Sequence, residues 1–542
     1  MREEYPRPDF VREEWQSLNG TWEFYCGKTK REILVPFVCQ CAMSGIGEAI
    51  TEDDVVYQRR FHVPEGWKGR RILLHFGAVD YRCRVWINDN YAGEHTGGQT
   101  PFTLDITPFL GGGEETVRVE VNDPLPDKTI PRGKQFWERE PRSIWYTPST
   151  GIWQSVWLEP VGRNSFLRVH FTPDIDQGTV KVDYRLHEES VLPCQVGITI
   201  SFQGEPVFSG RIDCFDKNGS ITVPVLSTEA RYWSPEEPNL YDVILETETE
   251  GKVDDRAACY FGMRKVQAVD GQIWLNNRPC YQRLVLDQGY WKESLLTAPD
   301  DEAYRKDIEM AKRMGFNGCR KHEKAEDPRF LYWADHLGFL VWGAMASFWE
   351  YTADGASAFM REWQDLIMRD YNHPSIIVWG MLNESWGVPG IYEDARQQSF
   401  SRSLYHMARS LDSTRLVIGN DGWEMTESDI CAFHSYRHGK PDDPEGQAFF
   451  AAALQDINCL SKIMARPLCA KGFGYEGQPV VLSECGGISM TDGGGWGYTC
   501  VKKEAFLKEY ERILDAVGAS GLLCGSFNVL SASGQKVFAK GK

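Results

Sequence analysis

The sequence predicts three structural units, two β-sandwiches in tandem followed by a (β/α)8 barrel. Its 542 residues are enough for several domains of ordinary size. In the first half of the chain, short segments with period-two alternation are separated by turn residues about every ten positions. After Gly271, apolar strand-like segments alternate with segments of helical period, which is typical of βα units around a parallel sheet.

The two predicted sandwiches divide near residue 163. Segments such as Arg71-Ile-Leu-Leu-His-Phe and Arg82-Cys-Arg-Val-Trp-Ile alternate in the first. A second set of strands begins at Arg163-Asn-Ser-Phe-Leu-Arg-Val-His and ends near Tyr260-Phe-Gly-Met-Arg-Lys-Val, the length of one immunoglobulin-like sandwich. We therefore expect domains at residues 1–163, 164–266 and 267–542.

The third unit contains eight candidate strands within about 270 residues, the usual size of a (β/α)8 barrel. They are predicted at Tyr281–Leu286, Phe316–Arg320, Phe339–Trp342, Ile376–Leu382, Leu416–Gly419, Ile430–His434, Val480–Ser483 and Leu522–Phe527. Chemistry in such a barrel takes place at the C-terminal ends of the strands. The polar residues that follow each strand are therefore the candidates for a functional site.

Two of the predicted strands end in a glutamate. The fourth ends in Asn383-Glu384-Ser-Trp386, and the seventh ends in Glu484-Cys485-Gly-Gly. A retaining glycosidase needs such a pair, with one carboxyl group as acid/base and the other as nucleophile. A carboxylate at a strand end can equally be a structural cap or half of an ion pair, so the pair by itself leaves both interpretations open.

Aromatic and hydrogen-bonding side chains cluster at the same strand ends. Sugars stack on aromatic rings, although each ring could instead be part of the barrel core. The aromatic candidates are Tyr290, Trp291, Trp342, Phe348, Trp349, Trp386, Trp423 and Tyr436. The second strand ends in Arg320-Lys-His322 and the sixth in His434-Ser-Tyr436, which supplies donors for sugar hydroxyls or for a carboxylate.

Composition argues against several classes of function. The 59 Lys and Arg residues against 77 Asp and Glu residues leave a net charge of −18, which disfavours a nucleic-acid partner. The sequence shows no membrane-spanning apolar segment and no secretory signal, so we expect a cytoplasmic protein with no membrane partner. The 15 cysteines form no CxxC pair, and with no close metal-ligand cluster or phosphate-binding loop we expect neither a metal nor a cofactor.

Motifs along almost the whole chain resemble glycoside hydrolase family 2, which contains β-galactosidases, β-glucuronidases and β-mannosidases. Those in the first half are Leu18-Asn-Gly-Thr-Trp-Glu-Phe, His75-Phe-Gly-Ala-Val-Asp, His95-Thr-Gly-Gly, Thr150-Gly-Ile-Trp-Gln and Trp233-Ser-Pro-Glu-Glu-Pro-Asn-Leu-Tyr. Those in the barrel are Met314-Gly-Phe-Asn-Gly-Cys-Arg, Asp327-Pro-Arg-Phe, Asn383-Glu384 and Leu482-Ser-Glu484. The resemblance implies a sugar-binding jelly-roll domain, an immunoglobulin-like domain and a catalytic barrel.

The resemblance also implies roles for individual residues. Glu384 is then the acid/base and Glu484 the nucleophile, with Asn383 placed to hydrogen-bond the sugar 2-hydroxyl. Arg320 and Tyr436 would hydrogen-bond the nucleophile. The other substrate-binding candidates are His322, which only approximates the family histidine, and His434, Asp287, Gln288, Trp386 and Trp423.

The sequence thus predicts a retaining exo-β-glycosidase that hydrolyses a small glycoside or an oligosaccharide end, with galactoside or glucuronide favoured, through a covalent glycosyl-enzyme. A homo-oligomer is possible. The chain departs from the family at Ala344, where an acidic residue is common, at Cys485, where an aromatic residue is common, and in its ending after Gly521. These departures leave a second hypothesis, a catalytically impaired carbohydrate-binding protein. A third hypothesis is thiol chemistry at Cys431 and Cys485, which both lie near the predicted barrel mouth.

Overall fold

The computed structural model describes residues 2–50, 52–225, 231–490 and 497–520, together with the backbone of residues 523–529. It confirms the predicted fold class, two β-sandwiches followed by a barrel of parallel strands and helices. Within these residues, no helix combines the length and the apolar character that crossing a bilayer requires.

The first sandwich packs a sheet of six strands against a sheet of four. The larger sheet, in spatial order, contains Thr29–Val35, Gly20–Cys26, Asp54–His62, Glu114–Asn122, Arg82–Ile87 and Asn90–Thr96. The smaller sheet contains Phe102–Asp105, Arg71–Phe76, Val156–Val161 and Gln16–Ser17. A two-stranded ribbon pairs Val79–Asp80 with Gly151–Ile152. In Glu114–Asn122 every second side chain is buried, as a strand with one face on the core requires.

The second sandwich has a sheet of five strands and a sheet of three. The five are Phe10–Val11, Lys252–Phe261, Tyr241–Thr249, Cys194–Phe202 and Glu205–Cys214. The three are Phe166–Asp174, Thr179–Leu186 and Asn218–Pro224. Because Phe10 pairs with Cys259, the N-terminal segment adds a strand to this sandwich before the chain enters the first one. Three short strands, Val266–Val269, Gln272–Leu275 and Arg278–Pro279, lead into the barrel.

The barrel contains all eight strands that the sequence predicts, with bounds that differ by one to a few residues except in the seventh, which extends seven residues past its predicted end. They are β1 Leu284–Asp287, β2 Gly318–Lys321, β3 Leu340–Ala344, β4 Ile376–Gly380, β5 Leu416–Ile418, β6 Cys431–His434, β7 Val480–Met490 and β8 Leu523–Val529. Every ladder between them is parallel, in the order β5-β4-β3-β2-β1-β8-β7-β6. A hydrogen bond from Asp429 N to Val417 O at 2.9 Å connects the ends of this order. A further short strand, Thr499–Val501, pairs with the end of β7.

Seven helices surround the described part of the barrel. They are α1 Asp301–Arg313, α2 Pro328–Leu337, α3 Ala353–Asp370, α4 Ala395–Leu411, α5 Pro444–Ala453, α6 Ile457–Leu460 and α7 Lys503–Ala519. Each of the first six begins after an Asp or Thr whose side chain accepts a hydrogen bond from the first turn. The β5–β6 connection, residues 419–430, is described throughout and contains no helix.

The C-terminal strand pairs on both sides, β8 with β7 and β8 with β1, so the atypical sequence after Gly521 still supplies an eighth strand. In sequence, the ending after Gly521 is unlike that of the family it resembles. Any helix after β8 would lie in residues 530–542, which are outside the described residues.

The first sandwich packs directly against the barrel. A shared apolar cluster joins Phe37, Tyr146 and Trp153 of the sandwich to Tyr290 and Leu296, which follow β1. The contact brings the long connection of residues 123–150 over the C-terminal end of the barrel, where the predicted site lies. That placement lets a β-domain contribute to the site.

Candidate active site

Glu484 lies in β7, and each of its two carboxylate oxygens accepts a hydrogen bond. A register shift at Ser483 interrupts the alternation of side chains along this strand. As a result, Ser483 donates to Asp421 Oδ1 at 2.5 Å while Glu484 Oε1 accepts from Arg320 Nη1 at 2.7 Å. The hydroxyl of Tyr436 donates to Glu484 Oε2 at 2.5 Å. These two donors fix the orientation of the carboxylate.

Arg320, at the end of β2, links the polar groups of several strands. Its Nη2 donates to Asn383 Oδ1 at 2.6 Å, and its Nε lies 2.5 Å from Asp421 Oδ2. Arg320 is only 5% exposed, and burying its positive charge without a partner would be costly. The carboxylates of Glu484 and Asp421 offset that cost. The planar guanidinium fixes three groups at once, which a lysine could not do.

Glu384 follows β4 on a strained turn. Glu384 and Ser385 have φ angles of 50° and 60°, in the left-handed region that costs a non-glycine residue about 1 kcal/mol or more. Three hydrogen bonds hold the turn: Glu384 N to Asp421 O at 2.8 Å, Ser385 N to Asn420 Oδ1 at 3.1 Å and Ser385 Oγ to Glu424 Oε2 at 2.6 Å. The turn aims the carboxylate of Glu384 toward Glu484.

The two glutamates meet around His434, the last residue of β6. One carboxylate oxygen of Glu384, one of Glu484 and a ring nitrogen of His434 all lie within 4.8 Å of one another. His434 Nδ1 is 2.8 Å from Glu384 Oε1 and 3.6 Å from Glu484 Oε2. Such a group could in principle ligate a metal ion, but the guanidinium of Arg320 already lies 2.7 Å from Glu484. The geometry therefore favours a charge-paired carboxylate.

Buried charges balance one another around the two glutamates. Burial alone would lower the pKa of His434, but the charges of Glu484 and Asp421 raise it to about 10. Burial alone would raise the pKa of Asp421, but Arg320 and His434 hold it well below its ordinary value. At neutral pH the site thus holds a positively charged imidazole and a negatively charged aspartate beneath the glutamates.

The other predicted ligands at this end of the barrel flank the glutamates. His322 is buried, with Nδ1 3.7 Å from Glu484 Oε1, and burial together with Arg320 keeps its pKa well below the ordinary value. The ring of Trp386 lies 5.6 Å from that of His322, and the ring of Trp423 lies 5.8 Å from that of His434. Of the predicted aromatic residues, Tyr290, Trp342 and Phe348 are buried, while Trp291, Trp349, Trp386, Trp423 and Tyr436 are partly exposed.

Three family models match successive parts of the chain. Residues 47–157 match the sugar binding domain of the glycosyl hydrolases family 2, residues 165–264 match the model named for the family itself, and residues 266–512 match its TIM barrel domain. The chain belongs to glycosyl hydrolase family 2.

The similar proteins are named as β-galactosidases and β-glucuronidases. A β-galactosidase of Thermoanaerobacter pseudethanolicus is 26% identical over 382 residues, which is 66% of this chain and 47% of that protein. A β-glucuronidase of Paenibacillus borealis is 25% identical over 76% of this chain and 74% of that protein. The solved structure of a β-D-glucuronidase of Dictyoglomus thermophilum, 20% identical, covers 96% of this chain and 91% of that chain with a TM-score of 0.77. This chain spans about half the length of the first curated relative.

Asp287, one of the two predicted hydroxyl ligands at the end of β1, binds a lysine of the neighbouring strand. Asp287 Oδ2 accepts from Lys321 Nζ at 2.7 Å, because Lys321 follows Arg320 on β2 and so points to the opposite face of the strand. Gln288 is half-buried, and within the described part of the chain its Oε1 accepts no hydrogen bond. The structure therefore brings Asp287 into an ion-pair network outside the group around Glu484.

That network contains two buried lysines near the strand ends, Lys321 and Lys324. Lys321 and Lys324 contact the carboxylate of Glu326 at 2.7 and 2.9 Å. Burial alone would raise the pKa of Glu326, but the two lysines lower it from 4.5 to about 2. Ionised Glu326 therefore stabilises the fold above its ordinary pKa, and this contribution disappears as the pH falls toward the folded-state value.

We expect a Glu326→Gln variant to lose about 3 kcal/mol of stability at neutral pH, because the change leaves two buried ammonium groups without their shared partner. Thermal melting at neutral and acidic pH tests this, and the difference from the wild-type protein should narrow as the pH falls below 4.5 toward about 2. The control is Glu302→Gln, which alters a half-exposed pair with Arg305 on α1 and should change stability little. A loss that is independent of pH would contradict the ion-pair explanation.

Sequence reasoning missed two residues of the family 2 site. Asp421 follows β5 by three residues, so examining the polar residues after every strand would have found it. Lys134 lies in the first sandwich, far from any barrel strand, and no motif predicted its position. Its ammonium faces the two glutamates, whose charges oppose the effect of burial on its pKa.

The cysteine hypothesis finds no support in the surroundings of Cys431. Burial raises the pKa of this thiol to about 12, so the reactive thiolate is scarce at neutral pH. Cys485 is fully buried as well.

Proposed function

We propose that this chain is a retaining β-glycosidase, with Glu484 as the nucleophile and Glu384 as the acid/base. The observation that carries the proposal is the approach of one oxygen of each carboxylate to within 4.8 Å. Retaining enzymes need their carboxyl groups about 5 to 5.5 Å apart, whereas inverting enzymes leave room for a water at about 6.5 to 9.5 Å. The short separation supports attack by a carboxylate rather than by water.

In the proposed first step, Glu484 attacks the anomeric carbon while Glu384 gives its proton to the departing glycosidic oxygen. Arg320 and Tyr436, which donate to the two oxygens of Glu484, hold the nucleophile in line. In the second step, Glu384 removes a proton from water, which attacks the glycosyl ester and releases the sugar with its β configuration retained. The geometry does not favour the binding-only alternative, because both carboxylates lie in positions suited to these steps.

A terminal β-galactoside or β-glucuronide is the proposed substrate. The support is the names of the relatives, β-galactosidase and β-glucuronidase. The connection of residues 123–150 covers one side of the site, which favours action at the end of a saccharide. No step of the proposed reaction requires a metal or a cofactor.

The experiment that tests this function is hydrolysis of a panel of nitrophenyl β-glycosides, covering galactoside, glucuronide, galacturonide, mannoside and glucoside. We expect turnover of at least one, and proton NMR during the first minutes should show the β-anomer of the free sugar before mutarotation. An α-anomer formed first would overturn the retaining mechanism. A folded protein that hydrolyses none of the panel would overturn the proposed activity on terminal sugars.

A further inference from the structure

The connection of residues 123–150 in the first sandwich is hydrogen-bonded to the barrel at Gly133. Ser347 O, which lies after β3, accepts from both Arg132 N and Gly133 N, at 3.1 and 2.9 Å. Trp349 Nε1 donates to Gly133 O at 3.0 Å. Gly133 has a φ of 57°, and a Cβ at this position would collide with the carbonyl oxygen of Glu323. The close approach fixes the position of the next residue, Lys134.

The side chain of Lys134 lies between three aromatic rings and the two glutamates, Glu384 and Glu484. It is 4% exposed, and its Nζ lies 5.2 Å from the ring centroid of Trp145, 5.8 Å from that of Tyr146 and 5.4 Å from that of Trp386. These rings partly compensate the buried charge through cation–π attraction. Burial lowers the pKa of Lys134 to about 8, against the opposing charges of three carboxylates, Glu484, Glu323 and Glu384. The ammonium is therefore still largely charged at neutral pH.

Lys134 differs from the other buried lysines near the barrel mouth. Lys324 has a carboxylate oxygen of Glu326 at 2.9 Å and carbonyl oxygens of Gly289 and Leu296 at 2.6 and 2.7 Å. Among the residues that the structure describes, no carboxylate oxygen lies within salt-bridge distance of Lys134 Nζ. Burying a cation without an ion partner is costly, and the cost is removed when an anion enters the site.

The other two cations of the site, the guanidinium of Arg320 and the imidazole of His434, already have carboxylate partners. Arg320 binds Glu484 and Asp421, and His434 lies against Glu384 and Asp421. An incoming anion would therefore find its partner at Lys134. A neutral hydroxyl would gain less there, because a charge-assisted hydrogen bond between two ions is the stronger interaction.

We infer that Lys134 is a specificity-determining residue which binds the carboxylate of a β-linked uronic acid in the glycone position. This inference rests on the proposed β-glycosidase function and selects the uronide among its candidate substrates. A residue of the first sandwich thus completes the sugar site of the barrel. The partly exposed rings of Trp145 and Trp386 form the apolar wall beside the carboxylate.

The test compares nitrophenyl β-D-glucuronide with β-D-glucoside, and galacturonide with galactoside, because each pair differs only at C6. We expect the wild-type protein to prefer the uronide in at least one pair. Lys134→Met should lower the kcat/KM ratio of uronide to neutral sugar by about 10²-fold, and Lys134→Arg should restore part of it. The matched control is Lys324→Met, which removes an ion-paired buried lysine and should leave the ratio unchanged.

Two results would overturn the inference. One is a Lys134→Met variant in which both members of a pair lose kcat/KM by the same factor, and the other is a wild-type protein that prefers the neutral sugar. Either result, with turnover and retention intact, leaves the proposed β-glycosidase function standing.

If the wild-type protein hydrolyses none of the substrates, the proposed function itself fails. Calorimetric titration with free glucuronate and glucose then decides the role of Lys134. Preferential glucuronate binding that Lys134→Met removes would support the inference, and equal binding would overturn it.

Discussion

A Glu484→Gln variant is expected to lose kcat/KM for every β-glycoside that the wild-type protein hydrolyses, by about 10⁵-fold or more. A carboxamide has nearly the shape of the carboxylate but cannot form the ester with the anomeric carbon. Sugar binding should therefore persist while turnover disappears. Steady-state kinetics on the best substrate of the panel, with calorimetric titration of the free sugar, measures both quantities.

The matched control is Glu509→Gln in α7. Glu509 is also a buried glutamate paired with an arginine, and its Oε1 lies 2.5 Å from Arg512 Nη2, but it lies outside the group around Glu384. We expect this variant to turn over substrate at the wild-type rate. A Glu484→Gln protein that keeps most of its turnover would remove Glu484 from the proposed role. A wild-type protein that binds sugar without hydrolysing it would instead support the carbohydrate-binding hypothesis.

A Glu384→Ala variant is expected to lose about 10²- to 10⁴-fold in kcat/KM for alkyl glycosides, because the departing alkoxide then receives no proton. The loss should be much smaller for dinitrophenyl glycosides, whose leaving group departs without protonation. With such substrates the second step becomes slow, since no base activates water. Added azide should restore turnover and give a β-glycosyl azide, because a small anion attacks without a base and fits the space that the carboxylate left.

The control for this prediction is Glu424→Gln. Glu424 accepts from Ser385 Oγ at 2.6 Å and so supports the strained turn that carries Glu384. A variant that acts only through the position of the turn should lower turnover of alkyl and dinitrophenyl glycosides alike, with no rescue by azide. The same pattern in Glu384→Ala would contradict the acid/base role.

The local patterns of the sequence predict the architecture well. The sequence predicts all eight barrel strands. A strand buried on both faces reads as a continuous apolar segment, as in Ile376-Ile-Val-Trp. The rule that chemistry lies at strand ends also predicts Glu384, Glu484, Arg320, His434 and Tyr436 as neighbours. The structure brings all five together.

The same rule fails where geometry depends on details that no pattern contains. Asp287 lies at the end of β1, one residue past the predicted strand, but Lys321 on the adjacent strand binds it because alternation turns both side chains away from Glu484. Ser483 and Glu484 contact one group of residues because the register between β6 and β7 skips Ser483. Such an irregularity arises from packing between neighbouring strands and leaves no signal in the strand's own sequence.

The order of the three units, the eight strands of the barrel and the pair of glutamates can be read from the amino-acid sequence, because these features depend on local periodicity and on motifs in neighbouring positions. The approach of the two carboxylates to within 4.8 Å, the pairing of Arg320 with two carboxylates and the burial of Lys134 beside them depend instead on tertiary packing. Each of these joins residues distant in the chain. Their contacts are set by how the first sandwich packs on the barrel and how the barrel strands align, which are properties of the whole fold.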